Sequence, residues 1–188
     1  MKQNLLPAIR MTIVCIVFFC GLYTVLILAA AQLAPERGNG ETVLLNGKVV
    51  GYALEGQNFT NDKYFWSRPS AVAYNAAGSG GSNKGPTNPD YLKDVQSRID
   101  TLLAHDRSLK KEDIPSELVT ASGSGLDPDL SPVGAHVQVP RIARARGLSE
   151  EKVQALVDAH VQKALFGLFG TQRVNVLKLN LDLDAMHP

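Results

Sequence analysis

The sequence has no charged residue between Arg10 and Glu36. The apolar run within this gap, residues 11–31, is long enough to cross a bilayer once as a helix. A cleaved signal peptide is the alternative, because Lys2 and Arg10 form a basic segment and the alanines at 29–31 resemble a cleavage site. The apolar core of a signal peptide usually has about 7 to 15 residues, so this longer run favours a retained anchor.

Cysteine is nearly absent from the 188 residues, and Cys15 and Cys20 both lie in the apolar run. Five positions apart on a helix, they face different directions, which indicates apolar packing rather than a disulfide. An excess of charge is also lacking. Apart from Lys2 and Arg10, 17 basic residues stand against 18 acidic ones, which argues against a nucleic-acid or polybasic lipid surface. We therefore expect membrane contact from the helix alone.

The motifs of common catalytic sites are missing. In the glycine-rich segment from Gly78 to Pro86, proline stands where a phosphate-binding loop requires lysine. Around Ser124 the glycines are displaced by one position from those of a nucleophile elbow. The four histidines include no pair at the i, i+4 spacing of a zinc-binding helix, and His160 on an apolar stripe is typical of a core histidine. We therefore expect no metal site.

Two polar clusters leave alternatives open. Asp127 and Asp129 could bind a hard cation, although Asp-Pro-Asp is also ordinary turn chemistry. Arg141, Arg144 and Arg146 could hold an acidic partner or a phosphate, although such clusters are most often solvated helix faces.

The residues that flank the apolar run predict its orientation. Lys2 and Arg10 precede it without an acidic residue, whereas Glu36 and Arg37 follow it together, so the positive-inside rule places the N-terminus in the cytoplasm. With 45% hydrophobic and 20% charged residues, the remainder fits one globular domain. The expected organisation is a cytoplasmic N-terminus (1–10), a transmembrane helix (11–33), a linker (34–42) and a soluble extracytoplasmic domain (43–188).

Periodicity and turn signals predict that this domain is a compact α+β fold rather than a doubly wound sheet. Asn46-Gly47 predicts a β-hairpin, and residues 66–89 predict a long exposed loop. The expected helices run from Asn88 to about His105, from Ser131 to Gly147 with a break at Pro140, and from Ser149 to Leu165. The expected further strands are residues 118–120 and a closing strand from Val174 to Leu181.

A series of short motifs extends over essentially the whole chain. They are GQNFT (56–60), YFWSRPSA (64–71), YN (74–75) followed by SGGSN (79–83), ELVTASGSGLDP (117–128), SP (131–132) with Gln138, RIARARGL (141–148) and VNVLKLNL (174–181). In this order they resemble the C subunit of the Kdp potassium-transporting P-type ATPase. Two positions depart from that family's pattern, since His or Asn is commoner than Asp129 and Ala is commoner than His136.

The resemblance implies a non-catalytic subunit that assembles in the inner (plasma) membrane with a channel-like, potassium-selecting subunit and a P-type subunit that hydrolyses ATP. The Asp-Lys-Thr-Gly phosphorylation motif of such pumps does not occur in this sequence, in agreement with that role. The family is also described as a catalytic chaperone that raises the ATP affinity of the pump subunit. Its suggested nucleotide contacts correspond here to Ser79, Gly80, Gly81, Ser82 and Gln138.

The predicted orientation suggests another role for the same residues. If the domain faces outward, Gln138 and residues 79–83 lie in a compartment with little ATP. We therefore predict that the domain docks on the outer face of the channel-like subunit through the glycine-rich loop and residues 122–132. The alternatives are a membrane-anchored extracytoplasmic binding module and an envelope hydrolase. A subunit would co-purify with two larger membrane proteins, whereas a free module would be monomeric in detergent.

Overall fold

The structure, a computed structural model, describes residues 2–186, and residue contacts divide the chain into two compact units with the boundary after Glu41. The N-terminal unit consists of helix α1 (Lys2–Cys15), a π-helical stretch (Ile16–Tyr23), helix α2 (Thr24–Ala31) and a 3₁₀ turn (Pro35–Gly38). The helical stretch Asn4–Ala31 is long and apolar enough to cross a membrane.

The C-terminal unit begins with the β-hairpin that Asn46-Gly47 predicts. Strands β1 (Thr42–Leu45) and β2 (Lys48–Tyr52) pair antiparallel, with a register shift between Val43 and Leu44. Asn46 and Gly47 have φ angles of 51° and 76°. Two consecutive positive φ angles are the mark of a type I′ turn, whose twist matches that of the strands. The hairpin prediction is confirmed.

The rest of this unit is mainly helical. Its helices are α3 (Pro89–His105), α4 (Pro132–His136), α5 (Val139–Arg146), α6 (Glu150–Ala159) and α7 (Val176–Ala185). Strands β3 (Asp129–Leu130) and β4 (Val174–Asn175) form a second antiparallel pair, and 3₁₀ turns lie at Ala76–Gly78, Lys111–Asp113 and Ser116–Leu118. The unit therefore mixes helix and sheet, as the α+β prediction requires.

The helix boundaries that capping residues indicate are confirmed. The Asn88 side chain accepts hydrogen bonds from the first amides of α3, and α3 ends at His105. Ser131 caps α4 in the same way. Pro140 lies in the first turn of α5 and so divides the predicted helix, and Gly147 ends α5 with a φ of 67°.

Two expected elements are shorter than predicted or of another type. The strand at residues 118–120 is wrong, because Ser116–Leu118 is a 3₁₀ turn that places Leu118 and Val119 in the core. Helix α6 ends at Ala159 instead of Leu165. Beyond it the chain pairs with a later segment, since Gln162 and Arg173 exchange backbone hydrogen bonds of 2.8 and 3.1 Å.

The closing strand is also wrong, because only Val174 and Asn175 are extended and the chain continues as α7. Alternate leucines from position 177 onward read as a strand, but the same segment carries a second periodicity. The buried side chains of α7 are Val176, Leu177, Leu179, Asn180 and Leu183, which is helical spacing. The Asn175 side chain accepts a hydrogen bond from the Lys178 amide and starts the helix.

The core of the C-terminal unit lies between these helices. Its fully buried large side chains include Phe65, Leu130, Ile142, Val153, Val157, Leu179 and Leu183. Phe65 comes from an irregular segment rather than a helix, and it fixes the start of the long loop on the core.

Candidate functional site

Side chains from the residue that precedes α5 and from α7 hold the irregular segment around Phe65 and Trp66. The Gln138 Oε1 accepts a hydrogen bond from the Trp66 amide (2.8 Å), and its Nε2 donates to the Trp66 carbonyl (3.2 Å). Asn180 of α7 does the same for Phe65, at 2.8 and 3.0 Å. Each side-chain amide therefore pairs with both the N–H and the C=O of one backbone residue, as a neighbouring β-strand would. The sequence signal for this role of Asn180 is weak, since it consists only of a polar residue in an apolar run and does not identify the partner.

Gln138 is 3% exposed, and all of its hydrogen-bonding capacity is used. Besides the contacts with Trp66, its Nε2 donates to the Gly134 carbonyl (3.1 Å) and its Oε1 accepts from Arg141 (2.7 Å). Both N–H groups and both lone-pair positions are thus occupied within the domain. In this structure Gln138 positions the Trp66 backbone.

Arg141 reinforces the same segment from inside the domain. Its guanidinium donates to the carbonyls of Asp62 (2.5 Å) and Tyr64 (3.1 Å) and lies 4.4 Å from the centre of the Trp66 ring. Burial lowers the pKa of Arg141 to about 10, so the side chain remains charged at neutral pH. Arg141 is 3% exposed, so the expectation that the arginine cluster forms a solvated helix face is wrong for this residue.

The other two arginines of the cluster also pair within the domain. Arg144 lies 2.9 Å from Asp106, and Arg146 lies 2.6 Å from Asp184. Burial alone would raise the pKa of the Asp106 carboxyl, but hydrogen bonds from Ser108 and Arg144 outweigh it and hold the pKa below its usual 3.8. The arginines therefore connect α5 to neighbouring segments instead of forming one open anion site.

The glycine-rich loop lies directly against the segment that follows Thr120. The Gly80 amide donates to the Ser124 carbonyl (2.8 Å), and the Ser79 hydroxyl donates to the same oxygen (2.9 Å). We call these two segments, Ser79–Ser82 and Ser122–Gly125, the paired loops. Residues 66–88 are therefore turn-rich, as predicted, but part of this stretch is anchored rather than free in solvent.

Glycine is required where the paired loops approach each other. Gly125 has a φ of 70°, and a Cβ there would lie 2.5 Å from Val72 Cγ2 and 2.8 Å from the Gly80 carbonyl oxygen. Gly123, two residues earlier, has open space around the same position. Ser79, Ser82, Gly123 and Ser124 remain exposed. The result is a surface of hydroxyls and backbone groups with few bulky side chains.

A polar cavity of about 510 Å³ lies between the glycine-rich loop and α3. Its lining residues are Ser70, Ala71, Gly81, Ser82, Lys84, Asp94, Ser97 and Arg98. Lys84 pairs with Asp94 at 3.0 Å, and Arg98 donates to the Val119 carbonyl (2.8 Å). Of the five residues that the resemblance suggests for nucleotide contact, the structure brings Gly81 and Ser82 to this cavity. Gln138 does not line it.

Asp127 and Asp129 lie at a different cavity, of about 290 Å³, where each has partners of its own. Asp127 pairs with Arg68 at 2.9 Å, and Asp129 lies 3.5 Å from Arg173. Burial raises the pKa of Asp129, and the charge of Asp127 raises it further against the opposing effect of Arg173. Within residues 2–186, no cluster of three or more His, Cys, Asp or Glu side chains could hold a metal ion.

An aromatic cavity of about 280 Å³ is lined by a histidine that pairs with an aspartate, an arrangement that forms part of many hydrolase sites. His105, which lines it, lies 2.7 Å from Asp62. Two of the hydroxyls at this cavity are engaged elsewhere, because Ser67 donates to the Gln57 carbonyl and Thr101 to the Ser97 carbonyl, both at 2.9 Å. Neither of these two hydroxyls is hydrogen-bonded to His105, as the nucleophile of a hydrolase site would be.

Both ring nitrogens of His160 have hydrogen-bond partners within the domain, as its place on an apolar stripe predicts. Its Nδ1 lies 2.9 Å from the Leu156 carbonyl and its Nε2 lies 2.8 Å from Asp182.

Comparison with known proteins agrees with the motifs. The family described as "KdpC: K+-transporting ATPase, c chain" matches residues 5–185. A potassium-transporting ATPase KdpC subunit of Bacteroides fragilis is 54% identical over 187 residues, which cover 98% of each chain. The subunit of Flavobacterium psychrophilum is 54% identical, covering 98% of this chain and 99% of the relative, and that of Geobacter metallireducens is 47% identical, covering 99% and 100%. With matches of this extent, the chain belongs to the KdpC family of potassium-transporting ATPase subunits.

Proposed function

We propose that this chain is a non-catalytic subunit that assembles in the plasma membrane with a channel-like, potassium-selecting subunit and an ATP-hydrolysing P-type subunit. The apolar helix Asn4–Ala31 anchors it. Lys2 and Arg10 keep the N-terminus in the cytoplasm, so that the domain faces outward. The names of its relatives support the complex, and the charge bias around the helix supports the orientation.

The paired loops are the surface through which the domain docks on the channel-like subunit. The observation that carries this proposal is the hydrogen-bonded contact between Gly80 and Ser124, which joins two segments distant in sequence into one exposed patch. Because Gly125 and its neighbours fix the backbone before binding, little conformational entropy is lost on docking. The network of Gln138 and Arg141 holds the start of the same long loop.

Direct nucleotide contact through Ser79–Ser82 is a second proposal. It is supported by the polar cavity that places Gly81 and Ser82 near Lys84 and Arg98, since cations and hydroxyls suit phosphate groups. In this version Gln138 acts only through Trp66, because its own amide is fully occupied. The domain would then have to face the compartment that contains ATP.

Accessibility labelling separates these two proposals. Cysteine is placed at Ser82 in the full chain with Cys15→Ala and Cys20→Ala, and right-side-out membrane vesicles are treated with an impermeant maleimide. Outward docking predicts that Ser82→Cys is labelled when the chain is expressed alone and is protected when the partner subunits are present. The matched control is Lys93→Cys on α3, an exposed position outside the paired loops that remains labelled in both samples.

Labelling of Ser82→Cys only after the vesicles are opened would overturn the orientation and favour the nucleotide proposal. Equal labelling with and without the partner subunits would retain the orientation but overturn docking through the paired loops. Co-purification of the tagged chain with two larger membrane proteins tests the assembly itself, and its absence would favour a free binding module.

A further inference from the structure

The two most exposed large apolar side chains described in the C-terminal unit, Phe166 and Leu168, lie on one loop between α6 and β4. Their exposed fractions are 84% and 80%, and those of the flanking Leu165 and Phe169 are 62% and 66%. Leu165 and Phe169 exchange backbone hydrogen bonds of 2.9 and 3.0 Å, which makes the loop a tight hairpin. We call Leu165–Phe169 the apolar tip.

The turn itself directs these side chains away from the domain. Phe166 and Gly167 have φ angles of 56° and 74°. A bulky residue rarely adopts the left-handed region, and the Phe166 side chain is left largely exposed by the residues that the structure describes. Phenylalanine and leucine clustered at an exposed tip are the pattern of a surface that is buried against another phase or molecule.

The charges around the apolar tip favour an anionic partner. Between Asp158 and Asp182 the sequence contains no acidic residue, whereas Lys163 and Arg173 flank the tip and Lys178 follows in α7; Arg173 also lies 3.5 Å from Asp129. The rest of the domain therefore carries a net negative charge, so the near-neutral charge of the whole domain is the sum of one basic segment and an acidic remainder. Basic residues beside exposed Phe and Leu are typical of elements that enter the headgroup region of anionic membranes.

The covalent structure also restricts what the apolar tip can reach. Only residues 32–41 separate the end of α2 from the start of β1. Ten residues span at most about 35 Å when fully extended, so a membrane anchor keeps the domain close to the bilayer. The apolar tip contains neither Tyr, Trp nor Arg, the residues that dominate binding energy at protein–protein contacts. These observations favour lipid over a protein partner.

We propose that the apolar tip inserts into the interfacial region of the bilayer that holds the chain's own helix, with Lys163 and Arg173 beside anionic headgroups. This inference rests on the membrane anchoring in the proposed function and not on docking to partner subunits. It adds a second membrane contact to the helix, which the charge balance of the whole domain did not suggest. Insertion at a second point would restrict the rotation of the domain about its linker.

The test uses the full chain with Cys15→Ala, Cys20→Ala and Leu168→Cys, labelled at position 168 with the environment-sensitive fluorophore NBD. The protein is reconstituted without partner subunits into vesicles of phosphatidylglycerol and phosphatidylcholine. If the apolar tip inserts, NBD at position 168 should emit at a shorter wavelength than NBD in aqueous buffer without detergent. Its fluorescence should also lose most of its intensity when the lipids carry a quencher near the headgroup. The same probe at Lys93→Cys on α3 should show neither effect. In pure phosphatidylcholine the quenching should weaken.

Each outcome decides the proposal. If the probe at position 168 is not quenched while the chain resists alkaline extraction from the vesicles, insertion is wrong and anchoring holds. If alkaline extraction releases the chain, anchoring is wrong and the proposal fails with it. A wavelength shift that appears only with the partner subunits, and that lipid quenchers do not affect, would assign the apolar tip to a protein contact and overturn the lipid assignment.

Discussion

Replacement of Gly125 by alanine should separate the paired loops, whereas the same change at Gly123 should not. Both residues lie in one four-residue segment, and the two variants differ in what the new methyl group meets and in the φ angle that alanine must adopt. At position 125 that group would lie 2.5 Å from Val72 Cγ2 and 2.8 Å from the Gly80 carbonyl oxygen. At position 123 nothing lies within 4 Å.

The expected cost of Gly125→Ala has two parts. Alanine in the left-handed region costs about 1–2 kcal/mol, and φ at position 125 is 70°. Overpacking against a fixed neighbour adds about 1–3 kcal/mol. The Val72 side chain can rotate, but the Gly80 carbonyl belongs to the backbone and can move only by straining the hydrogen bond between Gly80 and Ser124. The sum, about 2–5 kcal/mol, contrasts with a cost near zero for Gly123→Ala.

Urea unfolding of the full chain in detergent measures this difference. Trp66 is the only tryptophan, and its ring lies against Arg141 and His105, so its fluorescence reports the loss of the domain's tertiary structure. For a urea dependence of about 2 kcal/mol per molar, the middle of the usual range, Gly125→Ala should lower the midpoint by about 1–2.5 M. Equal midpoints for the two variants would refute the close approach of the loops.

Four further substitutions test the hydrogen-bond network beneath the long loop and the dependence of the domain's stability on acid pH. Gln138→Leu should lower the free energy of unfolding by about 2–5 kcal/mol without any nucleotide, because it leaves the Trp66 amide and carbonyl unpaired; an unchanged urea midpoint would contradict the positioning role. Arg141→Lys should lower the melting temperature and alter Trp66 emission, since lysine cannot reproduce the planar fork and the ring contact; unchanged emission would contradict that contact. The lowered pKa of Asp106 means that its stabilisation is present above its usual 3.8 and is lost as the pH falls below it, so Asp106→Asn should flatten the acid limb of melting temperature against pH. The raised pKa of Asp129 has the opposite effect on stability, because the folded state binds this proton more tightly and stability falls as the pH rises through the window above 3.8. Asp129→Asn should remove that fall, and identical pH profiles for the two variants would refute both assignments.

Local signals identified the elements whose geometry is decided by neighbouring residues. Asn46-Gly47 fixes a hairpin because both positions tolerate positive φ, and Asn88 and Ser131 begin helices because their side chains accept from the first free amides. Pro140 divides a helix because proline lacks an amide hydrogen. None of these features depends on residues distant in the sequence.

The segment from Val174 onward shows where local patterns are ambiguous. Alternate leucines fit a strand, and residues 176, 177, 179, 180 and 183 fit a helix. The helix is adopted because Asn180 is then buried where it can bond the Phe65 backbone, 115 positions away in the sequence. A periodicity cannot reveal a partner at that distance.

The features of the candidate site likewise divide into those decided by local sequence and those that depend on distant residues. The sequence alone determined the apolar helix, the near-neutral domain without cysteine, and the motifs that resemble the KdpC family, because composition and short-range order decide them. Only the tertiary structure decided that Ser79–Ser82 lies against Ser122–Gly125, that Gln138 and Arg141 are buried, and that the apolar tip is exposed. Burial and hydrogen-bond partners depend on segments brought together from across the chain. Residue type alone therefore did not distinguish a side chain that supports the loop from one that contacts a ligand.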